Sequence, residues 1–234
     1  MKKEYEQEYI EIEKMHPWFV ARRKLVFDFL KKIPKTAKIL DVGCGSGHTI
    51  QYLKSKGFEN IIGIDNSSTF VDKYAYVADA TYIPFKKESF DVVLCLDVLE
   101  HMKDDSLVSS AILNVLKKEG VLILTVPAFN FLWNNHDIIN NHFRRYNSIE
   151  VKSLFNNGVR TVKLTYWNSI LFIPTLFLKL TNKHNKKNTL SHDFIKFPKL
   201  IYHIILTILL AENFLIRYVS LPIGTSVVGV FKKN

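Results

Sequence analysis

The chain of 234 residues holds only two cysteines, Cys44 and Cys95, both inside apolar or glycine-rich runs. No disulfide framework can be built from them, and a reducing cytosol is the expected setting. The opening "MKKEYEQEYIEIEK" lacks an apolar core and alternates charges, so it predicts no secretory signal. Long hydrophobic runs are missing as well. The uncharged run from Leu200 to Ala211 falls short of the ~20 residues that a bilayer span needs, and Glu212, Asn213 and Arg217 interrupt any longer one. Acidic residues nearly vanish from the last third. Residues 1–150 carry 20 Lys+Arg against 20 Asp+Glu, whereas residues 151–234 carry 12 basic residues against Asp193 and Glu212 alone, so the whole net charge of +10 resides there. That asymmetry predicts an anionic partner surface (lipid head groups, nucleic acid or a phosphorylated substrate) or, more blandly, a solvated basic face.

What is present suits one domain. Hydrophobic residues make up 47% of the chain, enough for a large core. Residues 4–32 read as a helix, with Phe19, Arg22, Arg23, Val26, Phe29 and Leu30 at helical spacing and Pro34 ending the run. Short apolar runs at 37–45, 60–67, 76–85, 90–98, 121–129, 159–169 and 225–233 read as strands. Between them, "TIQYLKSKG" with Gly57 as C-cap, residues 106–120 closed by Gly120, and residues 148–158 read as helices. Strands alternating with helices predict βαβ units and a parallel sheet. No internal repeat is evident.

In "LDVGCGSG", Asp41 closes the first strand and Gly43, Gly45 and Gly47 follow at alternate positions, with Cys44 between them. Glycines there allow a tight turn and a close approach of backbone to ligand, and the next helix points its N-terminus at the same spot. Alone the pattern is weak, and the third glycine comes one residue early for a dinucleotide fingerprint. Asp65 ends the second strand, where a carboxylate can accept both ribose hydroxyls, and Asn66 follows it. Asp79 and Ala80 end the third strand, suited to an adenine amine and ring nitrogen.

Together, "ILDVGCGSG", "GIDNS", "ADATYIPF" and "FDVVLCLDVLEHM", in this order and spacing, resemble the class I S-adenosylmethionine-dependent methyltransferases over residues 37–130. The resemblance implies a Rossmann-like α/β fold: a mostly parallel seven-stranded sheet, order 3-2-1-4-5-7-6, with helices on both faces. In that fold the last strand returns after one helix; here the longer, apolar stretch before it reads as a hydrophobic helical insertion. The resemblance divides the chain into a helical cap (1–35), a cofactor-binding core (36–168), a basic hydrophobic insertion (169–222) and the last strand (223–234). It implies S-adenosylmethionine as cofactor. Asp41 and the glycine loop would contact its amino-acid end, Asp65 the ribose, and Asp79 with Ala80 the adenine. Asp97 would lie near the methionine portion, and the Glu100–His101 pair would be site architecture. "HPWFVARRKLV" (16–26) and "WNNHDIINNHFRRYN" (133–147) further resemble a bacterial and archaeal subgroup linked with surface-glycan or lipid-linked sugar pathways.

The stretch 133–147 follows the fifth strand, at the sheet edge where open α/β folds bind ligands. Methyl transfer needs alignment of acceptor and methyl and, for a hydroxyl acceptor, removal of a proton. His136 and His142 are the candidate bases, with Asp137 able to fix a tautomer. Arg144 or Arg145 could grip an anionic acceptor through a bidentate fork, with Trp133 and Tyr146 beside it. Blander readings stand next to these: a structural histidine, a helix start packed by Arg144 and Tyr146, or a metal held by His136, Asp137 and His142. Trp18, Arg22 and Arg23 either cap the cofactor pocket or dock the first helix.

Before the last strand come "ILFIPTLFLKL" (170–180) and "KLIYHIILTILLAENFLIRYV" (199–219), the second with Lys199, His203, Thr207, Asn213 and Arg217 as a narrow polar stripe. Beside Lys183, Lys186, Lys187, Lys196 and Lys199, such a face suits an interfacial helix on an anionic membrane, or a helical pair packed on the domain. The leading expectation is an O-methyltransferase of a small-molecule or lipid-linked sugar acceptor, cytoplasmic or peripheral on the inner face of the membrane. The rival is a nucleic-acid methyltransferase that uses the basic last third. Against it, the fourth strand exits into "LDVLEH", without the Asn/Asp-Pro-Pro-aromatic run usual in enzymes that methylate base amines.

Overall fold

A computed structural model of the chain describes residues 10–69, 74–155, 158–181 and 197–234. Seven strands form one sheet: β1 (Ile39–Val42), β2 (Ile61–Asp65), β3 (Ala75–Val77), β4 (Phe90–Leu96), β5 (Leu116–Pro127), β6 (Val159–Trp167) and β7 (Ser226–Lys233). Their order is β3-β2-β1-β4-β5-β7-β6, as the resemblance implies. β3 to β5 are parallel neighbours, and β7 runs antiparallel to both β5 and β6. β1 and β4 lie at the centre with nearly every residue buried, which is why they read as continuous apolar runs rather than alternating ones. The strand order reverses between them, opening a crevice at their carboxyl ends.

Helices cover both faces: α1 (Pro17–Leu30), α2 (His48–Ser55), α3 (Asp105–Val115), α4 (Asn135–Ile139), α5 (Ser148–Leu154), α6 (Phe172–Thr181) and α7 (Lys199–Leu215). One core layer joins β1, β4 and β5 to Val108, Ile112 and Phe155 of the helical layer on one face. Another joins Val26, Leu30, Ile50 and Leu53 to the opposite face.

Three local expectations are corrected. The first helix is not continuous: residues 10–15 are helical, the chain breaks at His16, and α1 restarts at Pro17. Proline fits the first position of a helix but not its interior, and the His16 ring accepts the N–H of Trp18 as an N-cap. Residues 4–9 of that expectation lie outside the described residues. The helix after the fourth strand stops at Val115, and Leu116–Gly120 already belong to β5. Leu116 pairs with Phe90 at a register shift, and its burial outweighs the helical pattern of the lysines after it. The third strand has three residues, not ten. Asp79 turns the chain by accepting both the N–H and the hydroxyl of Thr81, each at 2.7 Å.

The last insertion is inverted relative to an ordinary amphipathic helix. α7 packs on α1 through Leu209 and Ile216, which meet Ala21, Leu25 and Trp167. Its polar residues Glu212 and Asn213 are buried, while Leu200 is 73% and Phe214 58% exposed. Asn213 accepts the Trp167 indole N–H and donates to the carbonyl of Ala21, both at 2.8 Å. Glu212 accepts the N–H of Ser169 at 3.0 Å. Arg217 pairs with Asp28 of α1 at 2.5 Å. Lys183, Lys186, Lys187 and Lys196 lie outside the described residues. Among the described residues no helix is long and apolar enough to cross a membrane.

Replacing Asn213 by alanine strands the Trp167 N–H and the Ala21 carbonyl in a dry site. A loss of about 2–4 kcal/mol is expected, read as a lower urea midpoint with unchanged slope.

Candidate active site

A cleft of about 410 Å³ opens at the carboxyl ends of β1, β2 and β4. Of the residues expected to meet a cofactor, Gly43, Gly45, Asp65, Asn66, Asp79, Ala80 and Asp97 line it. Asp41, Cys44 and Gly47 do not; Asp41 and Cys44 are buried beneath the loop, and Gly47 caps α2. Gly43 has φ +68°, and a Cβ there would fall 2.4 Å from a Val98 methyl, so only glycine fits the bend.

Asp65 is set by its backbone neighbours. Its Oδ2 accepts the N–H of Gly45 at 3.0 Å and its Oδ1 that of Ser67 at 2.9 Å. Asp65 lines the cleft, and a carboxylate keeps further acceptor capacity beyond these two bonds. Burial pushes its carboxyl above the usual carboxylate range, partly offset by those two bonds. Asp41 is raised further, to about 7, by burial, with Arg22 pulling the other way. Asp79 uses Oδ1 for Thr81, which holds its carboxyl below the usual range.

Asp97 has a left-handed backbone, φ +58°, a costly conformation for a side-chain-bearing residue. It is clamped there: its N–H donates to the Thr125 carbonyl at 2.8 Å, and its Oδ2 accepts the Thr125 hydroxyl at 2.8 Å and the Arg22 guanidinium. Arg22 itself comes from α1, lies 5.0 Å from the ring centres of Trp18 and Phe19, and lines the cleft. Of the two readings left open for that cluster, Arg22 follows the pocket. Arg23 instead ties α1 to the carbonyls of Glu13 and Lys14.

Glu13 was not anticipated. It is buried, accepts the Ser46 hydroxyl, sits 3.8 Å from Arg22 and flanks Gly45. No local pattern marks it, because its approach depends on the break at His16–Pro17. Asn140, Asn141 and Phe143 also line the cleft. They lie inside the polar stretch after the fifth strand, which was recognised as a whole while its titratable members drew the attention.

That stretch is organised by Asp137, which has no solvent exposure. It closes a capping box with Asn134 at the start of α4, whose N–H it accepts at 2.8 Å. Arg145 holds it with Nε and Nη2, both at 2.8 Å, and His142 donates from Nδ1 at 2.8 Å. Burial alone would raise this carboxyl, but the His142 and Arg145 hydrogen bonds and the Arg145 charge hold it well below the usual range.

The expected acceptor grips are therefore reassigned. Arg145 is buried in its pair with Asp137. Arg144 bonds Asp105 at 3.1 Å and the Lys103 carbonyl at 2.6 Å. Tyr146 is buried with its hydroxyl on Asp105 at 2.8 Å. Arg144 and Tyr146 fasten the loop to Asp105 at the start of α3, not to the start of the helix at 148 as the blander reading had it, and Arg145 closes the loop on itself through Asp137. Trp133 is half-buried and, like His136 and His142, outside the cleft lining. The His136 ring contacts the Asn140 amide, and burial with the nearby His142 lowers its pKa to about 4, so it is neutral at neutral pH. His101 does line the cleft, and its ring stands edge-on to His142 with centres 4.6 Å apart. Asp137 is committed to Arg145, so the metal set His136, Asp137 and His142 is not assembled.

A family model described as "Methyltransferase domain" matches residues 40–124. A Methanocaldococcus jannaschii protein, named only as uncharacterized, is 29% identical over 163 residues, covering 66% of this chain and 70% of that one. Ubiquinone biosynthesis O-methyltransferase of Neisseria meningitidis is 28% identical over 102 residues, 38% of this chain and 43% of that enzyme. The chain thus spans less than half the length of this named relative. The solved structure of a SAM dependent methyltransferase from Archaeoglobus fulgidus superposes with a TM-score of 0.60 at 17% identity, covering 97% of this chain and 99% of that one. The fold is that of the class I S-adenosylmethionine-dependent methyltransferases.

The solved structure sharing this fold is that of a SAM dependent methyltransferase, and the cleft's own chemistry fits S-adenosylmethionine. The molecule carries a cationic sulfonium, a vicinal diol and an amine; the lining carries Glu13, Asp65, Asp79 and Asp97. Acceptor-only carboxylates suit all three groups.

Two outcomes follow for the loop. Arg145→Ala leaves the Asp137 carboxylate buried without its main partner and is expected to cost about 3–5 kcal/mol in urea unfolding. Because the folded pKa of Asp137 is depressed, its contribution is present above the unfolded value near 4 and disappears as pH falls below it. Asp137→Asn is expected to remove that acid-sensitive component from the pH dependence of unfolding.

Proposed function

We propose that the chain methylates a hydroxyl oxygen of a small-molecule or lipid-linked sugar acceptor. The observation that carries this reading is the placement of the 134–146 loop: Asn140, Asn141 and Phe143 line the same cleft as Gly43 and Gly45. When bound, S-adenosylmethionine supplies an activated methyl on a sulfonium. Asp65 holds the ribose diol through its remaining acceptor capacity. The free oxygen of Asp79, with the backbone at Ala80, reads the adenine edge. Glu13 and Arg22 flank the amino-acid end at Gly43 and Gly45, and Asp41 adds negative potential from below.

Methyl transfer then needs alignment, which can remove several kcal/mol from the barrier, and an exit for the acceptor proton. Asn140 and Phe143 position the acceptor. The acceptor hydroxyl sits at the corner of His101, with His142 and Asp137 behind it. His142 acts through this corner rather than as a lone base on the cleft wall.

A lipid-linked acceptor is favoured by the exposed apolar residues Ile173, Phe177, Leu200, Ile204 and Phe214 of α6 and α7. α7 packs on α1, which carries Arg22 to the cleft. This is the chemistry of an interfacial helix pair on an anionic membrane, and it agrees with the surface-glycan subgroup that residues 16–26 and 133–147 resemble.

Calorimetric titration is expected to show S-adenosylmethionine binding, with Asp65→Ala weakening it about 10- to 100-fold, the equivalent of one or two charge-assisted hydrogen bonds. Wild-type protein that fails to bind the compound would falsify the enzymatic reading. For the acceptor, the protein is expected to float with anionic liposomes at low salt, and Ile204→Glu to reduce the bound fraction. Absence of flotation removes the membrane part; salt-sensitive RNA binding in its place favours the nucleic-acid rival.

A further inference from the structure

We infer that Glu100, His101 and His142 form a binding site for a divalent first-row transition cation at the acceptor end of the cleft. One carboxylate oxygen of Glu100 and one ring nitrogen from each histidine lie within 4.8 Å of one another. Metal–ligand bonds of about 2.0–2.2 Å at tetrahedral angles put ligand atoms about 3.4 Å apart. The set therefore closes on an ion with side-chain shifts of up to about 1.4 Å.

Glu100 is the observation that asks for a ligand. It is 1% exposed, and its Oε2 has no hydrogen-bond partner. A buried carboxylate oxygen without a donor is costly. No lysine or arginine hydrogen-bonds Oε2: Arg22 pairs with Asp97 and Glu13, and Arg145 with Asp137. A cation at this carboxylate supplies the missing partner.

The surroundings are those of a built site. His142 gives Nδ1 to Asp137 at 2.8 Å, which leaves Nε2 as the ligating nitrogen and fixes the ring. A carboxylate behind a ligating histidine is the usual outer support of a metal centre. His101 is held by the backbone of Asn140. The Phe143 N–H donates to the Glu100 carbonyl at 2.7 Å, pinning the two ligand-bearing segments together. Two histidines and one carboxylate leave open coordination positions and suit zinc, manganese or iron(II) better than calcium. His101 turns the site toward the cleft.

This deepens the proposed O-methyl transfer and rests on that reading for its role. The ion binds the acceptor hydroxyl and lowers its pKa. The proton leaves to solvent water, the oxygen forms its bond to the methyl carbon, and the electron pair of the breaking S–CH₃ bond passes to sulfur, which becomes a neutral thioether.

The test is equilibrium dialysis of chelator-treated full-length protein against Zn²⁺ and, separately, Mn²⁺, with bound metal counted by mass spectrometry and no cofactor present. One equivalent per wild-type chain is expected. Glu100→Gln and His142→Ala are each expected to weaken binding at least tenfold, and His203→Ala on the outer face of α7 to leave it unchanged. Binding of S-adenosylmethionine to the same variants, followed by calorimetry, reports that they are folded. No stoichiometric metal on the wild type, or full retention in both ligand variants, overturns the site. Cofactor binding without metal leaves the methyltransferase reading standing, whereas bound metal without cofactor binding keeps the ion site and removes its catalytic role.

Discussion

The acceptor side of this molecule depends on one buried carboxylate. Asp137 has no contact with solvent, so its charge must be met inside the protein. Arg145 meets it with a two-pronged bridge, His142 with a ring nitrogen, and the first turn of α4 with a backbone N–H. Asp137 holds the first half of residues 134–146, where α4 is a five-residue helix with one buried side chain, while Arg144 and Tyr146 tie the second half to Asp105. Through His142 the same anchor reaches His101 and Glu100, and through Phe143 the backbone of the turn after β4. A loop that would otherwise be mobile becomes a rigid wall of the cleft.

The cofactor side is held differently. There the backbone does most of the positioning: a glycine bend against Val98, two N–H groups on Asp65, and a turn at Asp79. Charge enters from a distance, when α1 brings Arg22 over to Asp97. That crossing is fixed in turn by α7, whose Asn213 joins α1 to Trp167 of β6. The C-terminal helix, remote from the chemistry in sequence, thus sets the angle at which the N-terminal segment covers the glycine loop. Its Glu212 and Asn213 are buried, while its Leu200, Ile204 and Phe214 are left facing outward.

Residues 134–146 show where local pattern stops being informative. Two histidines, an aspartate and two arginines at a strand exit are visible without coordinates, and so is their placement near a bound methyl donor once the strand order is known. Their division of labour is not. Arg145 and Arg144 are equivalent on paper; one is buried against Asp137 and the other lies on Asp105. Asn140 and Phe143, which carry no titratable group, are the ones that reach the cleft. The same limit applies to helix ends. The lysines after Leu116 continue a helical pattern, yet pairing with Phe90 draws the chain into β5.

By itself the sequence determined the sheet and its cofactor edge. Strand composition, glycine spacing and the acids at three strand ends are local features, read within a few residues of one another, and physical chemistry ties each to one backbone shape. Tertiary structure alone decided which polar groups face the cleft and which neutralise each other. Glu13 reaches Gly45, Asn213 turns inward and Glu100 keeps a lone oxygen through contacts between segments up to 192 residues apart. Burial, not residue type, sets the cost of leaving a charge unmet, and burial exists only once the chain has folded.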